Sequence, residues 1–453
     1  MPLTALCLGF FMIMMDATVV NTALPDIGRS LHANVSGLQW VLDGYTLVFA
    51  CLLLTGGSLG DRLGTRRVFL TGLVLFTSAS ALCGLAPDLS VLNAARVLQG
   101  AGAALALPTS LALINASYPD RAERAHAIGV WGGLGGVAAG LGPVLGGILT
   151  YWAGWSAIFF INIPIGIAAC ILAVRNVTAP APKQRAGLDL PGQLLAVCGV
   201  AGLAYGLIEG SARGWTSPSV LTAFVVAVAG GGAFVAVERR RYDPMLPLGL
   251  FRDRQFTGSI LVGAAINIGF YGELFLLSLY LQHVRNYSPL IAGLALLPQP
   301  GIASVASSLG GRHTARHGAR RVMLTGLIVG ALGLLVMTAA KPHTPYGVLI
   351  VPLMAIGFGT AYTMPAATAA TIDAAPSRQA GVASGTLNAS RQIGSTLGIA
   401  IFGAIVASTA FMTGYHLSVI IGGTVFALAA VVTLYAIPQP QAIMASARET
   451  KPS

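Results

Sequence analysis

Charged side chains are scarce in this sequence of 453 residues. Asp, Glu, Lys and Arg make up 9% of the chain and hydrophobic residues 55%, whereas a soluble domain carries about 25% charged residues. So little charge cannot cover a water-facing surface. Apolar runs of roughly 18 residues or more, long enough to cross the ~30 Å core of a bilayer, recur along the chain. We therefore expect an all-α integral membrane protein whose main solvent is lipid.

Patterns that carry catalytic, redox or metal chemistry are also missing. Neither a CxxC pair nor a GxxxxGK[ST] phosphate-binding loop occurs, and His313 and His317 lie in a basic loop. All five cysteines fall inside apolar runs: Cys7, Cys51, Cys83, Cys170 and Cys198. The sequence thus argues against a membrane enzyme or receptor, and it predicts no cofactor, no metal site and no disulfide.

Apolar run length and helix breakers predict fourteen spans. Six spans lie between residues 3 and 174, two between 190 and 237, and six between 256 and 437. The first run carries Asp16 and no basic region precedes it, so we expect a span rather than a signal peptide. The predicted organisation is an N-terminal six-helix bundle (1–175), a linker with two inserted helices (176–254), a C-terminal six-helix bundle (255–437) and a tail (438–453).

The distribution of basic residues predicts the orientation of these spans. The net charge of +11 does not indicate nucleic-acid binding, because the arginines stand in short loops between apolar runs rather than on one stripe. Most of the 26 Lys and Arg residues fall in loops on one side. The opposite loops carry only Arg29, Arg213, Arg285 and Lys341. Because basic loops stay in the cytoplasm, both termini are expected to be cytoplasmic.

An internal repeat links the two halves of the chain. Arg66–Leu73 reads RRVFLTGL and Arg320–Leu327 reads RRVMLTGL, and Gly57, Arg62 and Gly64 recur at the same offset as Gly311, Arg316 and Gly318. Both copies join the second and third spans of a six-helix set. Many secondary transporters build their substrate site between two such duplicated halves.

Several motifs lie at fixed places on these spans. Loop 2–3 reads GSLGDRLGTRR, in which glycines permit close helix approach and the charges can pair across a gate. The residues are Gly57, Gly60, Asp61, Arg62, Gly64, Arg66 and Arg67. The second copy has Ala315 at the acidic position, so we expect that half to lack the same contact. Alternatively, the arginines do no more than set topology.

The fifth span has small residues spaced for close helix packing, with a proline that can bend the helix. They include Gly140, Gly142, Pro143, Gly146 and Gly147. The fourth span carries Arg96, followed by Gln99. An arginine inside a span marks a charge partner or a polar cavity, but Arg96 is near enough to the outer end that snorkelling is an alternative.

With three further stretches, these motifs resemble the major facilitator superfamily, and specifically its fourteen-span drug/proton antiporter branch. The further stretches are 15–25 in the first span, 155–166 at the start of the sixth, and 388–394 in the thirteenth. The resemblance implies a monomer in the bacterial cytoplasmic membrane with the major facilitator fold. It also implies export of lipophilic, often cationic, drug-like molecules in exchange for protons.

Three acidic residues are candidates for proton coupling or substrate binding, because they lie inside spans. Burial favours the neutral form of a carboxyl group and an approaching cation favours the charged form, so one carboxyl group can hold a proton or face a cation. We predict Asp16 as the proton carrier with Arg96 tuning it, the alternative being a fixed ion pair. We predict that Glu273, the acidic residue inside a span of the C-terminal half, recognises cations or takes a second proton. Asp43, near the outer end of its helix, is more typical of an interfacial or structural position.

Weaker candidates for substrate binding are polar or aromatic residues inside the spans. Alongside Asp43 they are Gln99, Tyr271, Tyr362 and Arg391. Most aromatic residues in such helices face lipid or other helices. The alternative function is proton-coupled transport of a specific polar metabolite, for which more intramembrane polar and charged groups are expected.

A topology experiment tests the span count. Epitope tags at the two ends should both be accessible in inverted membrane vesicles and both be protected in intact cells, because fourteen spans return the chain to the starting side. Tags that map to opposite faces of the membrane would contradict this organisation.

Overall fold

A computed structural model describes residues 2–118, 120–178, 189–241, 244–376 and 379–439. Regular structure within these ranges is entirely helical. Among the described residues, fourteen helices are long and apolar enough to cross a membrane, which confirms the predicted number. The predicted tail lies almost wholly outside the described residues, as does the polar stretch at 179–188.

The spanning helices are labelled α1–α14 in chain order. The first seven are Pro2–Ser30, Val35–Leu63, Thr65–Gly84, Leu89–Ser117, Arg121–Ala153, Ala157–Asn176 and Leu190–Arg213. The other seven are Pro218–Arg240, Arg254–Leu279, Pro289–His317, Ala319–Val336, Tyr346–Asp373, Ala380–Ala407 and Phe411–Ala436. Two of them are interrupted, α6 at Ile161 and α10 at 296–297, ahead of Pro298. A proline lacks the backbone N–H that would continue the helix.

The sequence repeat corresponds to a repeated turn. Gly64 ends α2 with a φ of 97°, and Gly318 ends α10 with a φ of 81°. This left-handed region favours glycine, which has no Cβ to clash with the backbone. The side of the bundle that carries these two loops is called the basic side below, and the other the opposite side.

The basic connector predicted after the eighth span, at 238–254, begins inside a helix. Helix α8 continues to Arg240, and Glu238 is buried in it. Its carboxylate accepts a hydrogen bond from the Leu246 backbone N–H at 3.0 Å. The charged residues of this stretch predicted a loop. The hydrogen bond from Leu246 instead gives the buried carboxylate a partner, so Glu238 can remain within the helix.

Helix contacts place α1–α6 together and α9–α14 together. The two groups meet where α2 packs on α13 and where α5 packs on α10. Helices α7 and α8 pair with each other, and α7 also packs on α2 and α13. The junction between the two halves therefore runs through α2, α5, α10 and α13.

The glycines of α5 allow this helix to touch both groups. A Cβ added at Gly142 would overlap the Thr18 hydroxyl, and one at Gly146 would overlap the Val19 carbonyl. On the other side, a Cβ at Gly147 would overlap the Pro289 carbonyl. Gly140 likewise faces Pro300 of α10. Helix α5 is thus held between α1 and α10 by contacts that leave no room for a side chain.

Enlarging one of these glycines tests the close contact. Gly142→Val should lower the thermal unfolding temperature in detergent, with a loss of about 1–3 kcal/mol from overpacking. Gly132→Val is the matched control, because Gly132 is on the same helix and a Cβ there would meet nothing. Equal unfolding temperatures for the two variants would contradict the α1–α5 contact.

Candidate functional site

A fully buried carboxylate lies at the centre of the N-terminal half. The Arg96 Nη1 atom of α4 is 2.5 Å from Asp16 Oδ2 of α1. Asp16 Oδ1 accepts hydrogen bonds from Gln99 Nε2 at 2.8 Å and from Asn162 Nδ2 of α6 at 2.9 Å. Asp16 and Arg96 are 0% and 1% exposed. Asp16, Arg96, Gln99 and Asn162 are called the Asp16 cluster below.

The arginine of this cluster is enclosed by protein. Its Nε donates to the Val41 carbonyl at 2.9 Å and its Nη1 donates also to Gln99 Oε1 at 2.7 Å. The guanidinium carbon lies 4.3 Å from the centroid of the Tyr45 ring, a cation–π contact. The snorkelling alternative for Arg96 is therefore wrong, because the guanidinium turns inward to a buried carboxylate.

The geometry of the Asp16 cluster fits an ionised carboxylate. Both oxygens accept hydrogen bonds, and one of them faces a cation that stabilises the negative charge. A proton arriving at Asp16 would compete with Arg96 for the same oxygen. The cluster can thus exist in two forms, one with an ion pair and one with a neutral carboxylic acid.

Hydrogen bonds connect the helix of Asp16 to α5. The Thr18 hydroxyl donates to the Ala139 carbonyl and the Thr22 hydroxyl donates to the Pro143 carbonyl, each at 3.0 Å. Pro143 removes one backbone donor from α5, and its own carbonyl packs against Gly293 of α10. The predicted glycine motif therefore lies between the Asp16 helix and the C-terminal half.

The two halves are joined on the opposite side. Gln39 Nε2 of α2 donates to the Ile399 and Ala400 carbonyls of α13 at 3.0 and 2.9 Å. A second connection joins α9 to α1, where the Ser278 hydroxyl donates to the Asn21 carbonyl at 2.5 Å. Gln282 Nε2, one turn further, donates to the Thr22 carbonyl at 2.8 Å. These contacts close the molecule on the side away from the basic loops.

Asp43 lies at this junction, which fits the structural position and not the interfacial one of the two that its place in the sequence predicted. It is 0% exposed, and its Oδ1 accepts a hydrogen bond from Thr46 at 3.3 Å. The Thr46 and Thr396 hydroxyls are 3.0 Å apart across α2 and α13. The position of Asp43 near a helix end left both possibilities open, and the packing of α13 on α2 decides between them.

A cavity of about 600 Å³ opens on the basic side. Its walls are largely apolar, and it reaches the surface at the exposed side chains of Asp61 and Arg62. The lining residues come from α2, α4, α5, α7 and α13 and from the segment before α9. They include Leu53, Gly57, Leu107, Leu111, Trp131, Asp189, Met245, Ser384 and Asn388. The volume falls in the range typical of small-molecule sites.

Of the loop 2–3 motif, Gly57, Asp61 and Arg62 line this cavity, and the other motif residues have different contacts. Gly60 packs against Thr109, where a Cβ would clash, and Arg66 Nη2 donates to the Val174 carbonyl of α6. Arg67 is exposed. Within the described ranges, Asp61 makes no ion pair with the C-terminal half, in line with an open basic side.

The C-terminal candidates are spread over separate places. Glu273 is 0% exposed, and its Oε2 accepts a hydrogen bond from Gln299 Nε2 of α10 at 3.0 Å. Tyr362 is buried, and its hydroxyl is 2.7 Å from His313 Nδ1. Tyr271 and Arg391 are both half-buried, on α9 and α13. Gln99, a weak substrate candidate, belongs to the Asp16 cluster and does not line the cavity.

Four polar residues that matter to the site were not predicted as site residues. Asn162 binds Asp16, Gln299 binds Glu273, and Gln39 and Gln282 join the halves. Their signal in the sequence is a lone amide inside an apolar run. A buried amide in a membrane helix needs partners, but which helix supplies them does not follow from the run itself.

A profile of the Major Facilitator Superfamily matches residues 6–316 and 300–452. The chain belongs to the major facilitator superfamily. A methylenomycin A resistance protein of Bacillus subtilis is 38% identical over 94% of this chain and 92% of its own length. The methylenomycin A resistance protein of Streptomyces coelicolor is 40% identical, over 90% and 86%. The multidrug resistance protein Stp of Mycobacterium tuberculosis is 40% identical, over 90% and 76%.

A solved structure shows the same fold. The crystal structure of an auto-inhibited POT family peptide transporter aligns with a TM-score of 0.68 over 100% of this chain and 98% of that chain, at 15% identity. The sequence relatives are bacterial. With its fourteen apolar helices, the chain is a multi-pass transporter of the cytoplasmic membrane.

Removing one charge of the Asp16 cluster tests its energetics. Arg96→Met should destabilise the protein by about 3–5 kcal/mol, because a buried carboxylate is left without its cation. The double variant Asp16→Asn with Arg96→Met should be more stable than Arg96→Met alone, since no unpaired charge remains. Thermal unfolding in detergent measures both.

The matched control is Arg312→Met, which removes one exposed charge from α10. Its unfolding temperature should stay near that of the wild type. A double variant less stable than Arg96→Met would contradict the pairing of the two charges.

Proposed function

We propose that this protein exports drug-like antibiotics from the cytoplasm in exchange for protons. The Asp16 cluster is the main support, because it holds an ionisable group, fully buried, in contact with a cation that competes with a proton. The names of the relatives, which are resistance and efflux proteins, support the kind of substrate. The apolar cavity of about 600 Å³ supports the size and polarity of that substrate.

The basic side is assigned to the cytoplasm on the distribution of Lys and Arg. The cavity then faces the cytoplasm, and the hydrogen bonds of Gln39, Ser278 and Gln282 close the external side. In this state Asp16 is ionised and paired with Arg96. We assign this state to a transporter that has released its proton inward and can accept a substrate.

Exchange requires that the proton and the substrate select different states. When the halves rock and the external side opens, a proton reaches Asp16 and the carboxyl group becomes neutral. The ion pair is then lost, and Arg96 keeps only its neutral acceptors. Return to the inward-open state transfers the proton to the cytoplasm, because Arg96 again favours the ionised carboxylate.

Helix α5 is proposed to carry this change to the other half. Thr18 and Thr22, on the helix of Asp16, hold the Ala139 and Pro143 carbonyls of α5, which packs on α10 without intervening side chains. A shift of α1 after protonation therefore acts on the α5–α10 junction. The 14-helix chain is proposed to do this as a monomer made of the two predicted bundles, with α7 and α8 between them.

Transport of a polar metabolite is the weaker proposal. Most of the cavity wall is apolar, and two of its polar side chains, Asp61 and Arg62, lie at its mouth where water reaches them. Three others, Thr55, Gln193 and Asp189, already bind other protein groups. A sugar or amino acid needs several hydrogen-bonding groups around it to replace its hydration. The apolar wall favours a lipophilic substrate instead.

Asp16→Asn tests the proton carrier. In proteoliposomes with an imposed pH gradient, this variant should lose gradient-driven drug transport. The reason is that a side-chain amide neither binds nor releases a proton at the pH values of the experiment. Because Arg96 then loses its carboxylate partner, the variant should unfold at a lower temperature than the wild type. Transport is therefore compared per amount of protein that elutes folded from size exclusion.

The control is Asp26→Asn, which removes a carboxylate from the outer end of the same helix, where it pairs with Arg29. This variant should transport like the wild type. Undiminished gradient-driven transport by Asp16→Asn would overturn the assignment of Asp16.

A further inference from the structure

The C-terminal half contains a cation inside a span that has no acidic partner. Among the described residues, the intramembrane arginines are Arg96, which pairs with Asp16, and Arg391 of α13, which makes no ion pair. Arg391 Nη1 is 3.3 Å from Asn388 Oδ1, and its Nη2 contacts the sulfur of Met364 at 3.0 Å. Its Nε has no partner.

These contacts leave most of the donor capacity of Arg391 unused. A guanidinium has five N–H donors in a planar fork, whereas an amide oxygen at 3.3 Å and a thioether sulfur are weak acceptors. A charged group at this depth is normally paired or faces a polar cavity. Arg391 is half-buried, so its side chain contacts open space.

The periodicity of α13 relates Arg391 to the cavity on the basic side. The residues of α13 that line this cavity are Gly381, Val382, Ser384, Gly385 and Asn388. Helical periodicity places residues 391 and 392 one turn further along the same helix. Arg391 thus stands one turn beyond the last lining residue, deeper in the membrane.

A second unused donor lies near this arginine. The Tyr271 side chain of α9 is half-buried, and its hydroxyl makes no hydrogen bond within the described ranges. It is within electrostatic range of the Arg391 guanidinium. Arg391 and Tyr271 therefore offer N–H and O–H donors for hydrogen bonds. Among the described residues, the side-chain acceptors of Arg391 are the weak ones of Asn388 and Met364.

The charges at the mouth do not cancel this cation. Asp189 lines the cavity, but its Oδ1 is 2.9 Å from Arg241 Nη1. Asp61 and Arg62 are exposed and carry opposite charges. Water and salt screen both charges, and each charge partly cancels the other. A largely apolar cavity with an unpaired guanidinium one turn beyond its lining residues fits an apolar molecule with one negative group.

We propose that Arg391, with Tyr271, binds an acidic group of the substrate, so that the preferred substrates are lipophilic organic anions such as carboxylates. This inference rests on the proposed export function and narrows it. It differs from the cationic preference that the family resemblance implies. Arginine suits the task because its planar fork matches a carboxylate with two parallel hydrogen bonds.

Three probes with one fluorescent body test the preference: 1-pyrenebutyrate, neutral 1-pyrenebutanol and the pyrenebutyl-trimethylammonium cation. Their affinities are measured for protein in nanodiscs, with binding to empty nanodiscs subtracted. The wild type should bind the anion about tenfold or more tighter than the cation, the size expected when one close charge pair is gained. Tighter binding of the cation would overturn the inference without any variant.

Variants assign the preference to Arg391. Arg391→Met should lower the ratio of anion to neutral affinity by about tenfold or more. Arg391→Lys should keep the ratio within a few-fold of the wild type, since lysine keeps the charge but not the fork. Arg312→Met, which removes an exposed charge from α10, should leave the ratio unchanged. An unchanged ratio in a folded Arg391→Met protein would contradict the assignment.

The outcome can be separated from that of the export function. Wild-type proteoliposomes with a pH gradient that transport none of the three probes would count against proton-driven export. Transport of the neutral and cationic probes without preference for the anion would overturn only the role of Arg391.

Discussion

Asp16 and Arg96 face each other at 2.5 Å in a part of the molecule that water does not reach. Either charge alone would destabilise the fold at this position. Only close pairing and full hydrogen bonding offset the free-energy cost of removing both ions from water. Gln99, Asn162 and the Val41 carbonyl complete that pairing from three helices. The packing of α1, α2, α4 and α6 in the N-terminal half is therefore built around a charge that a single proton can remove.

The same helix that carries Asp16 also contacts the junction between the halves. Thr18 and Thr22 bind backbone carbonyls of α5, and the Asn21 and Thr22 carbonyls accept hydrogen bonds from α9. A change of charge at Asp16 thus occurs five and six residues along α1 from the two carbonyls, of Asn21 and Thr22, whose contacts close the opposite side. In the C-terminal half, Arg391 of α13 makes no ion pair among the described residues. The two sites that we propose, Asp16 for the proton and Arg391 for the substrate, therefore lie in different halves.

The sequence predicted the fold well because membrane spans depend on run length and on loop charge, both of which can be counted. The Asp16–Arg96 pair also followed, since the two residues lie at similar depth from the outer end of their spans. Asn162, Gln299 and the buried position of Asp43 did not follow. Helices that are apolar on every face give no signal of their rotation, so the partner of a polar side chain is set by packing that only the structure supplies.

The most direct measurement is infrared difference spectroscopy of the carboxylic acid C=O band, comparing the wild type with Asp16→Asn. In the wild type, a band assigned to protonated Asp16 should appear at acidic pH and disappear when a transported drug is added, because the substrate-ready state holds Asp16 ionised against Arg96. A band at Asp16 that is absent at every pH, or that a bound drug leaves unchanged, would contradict exchange at this carboxyl group.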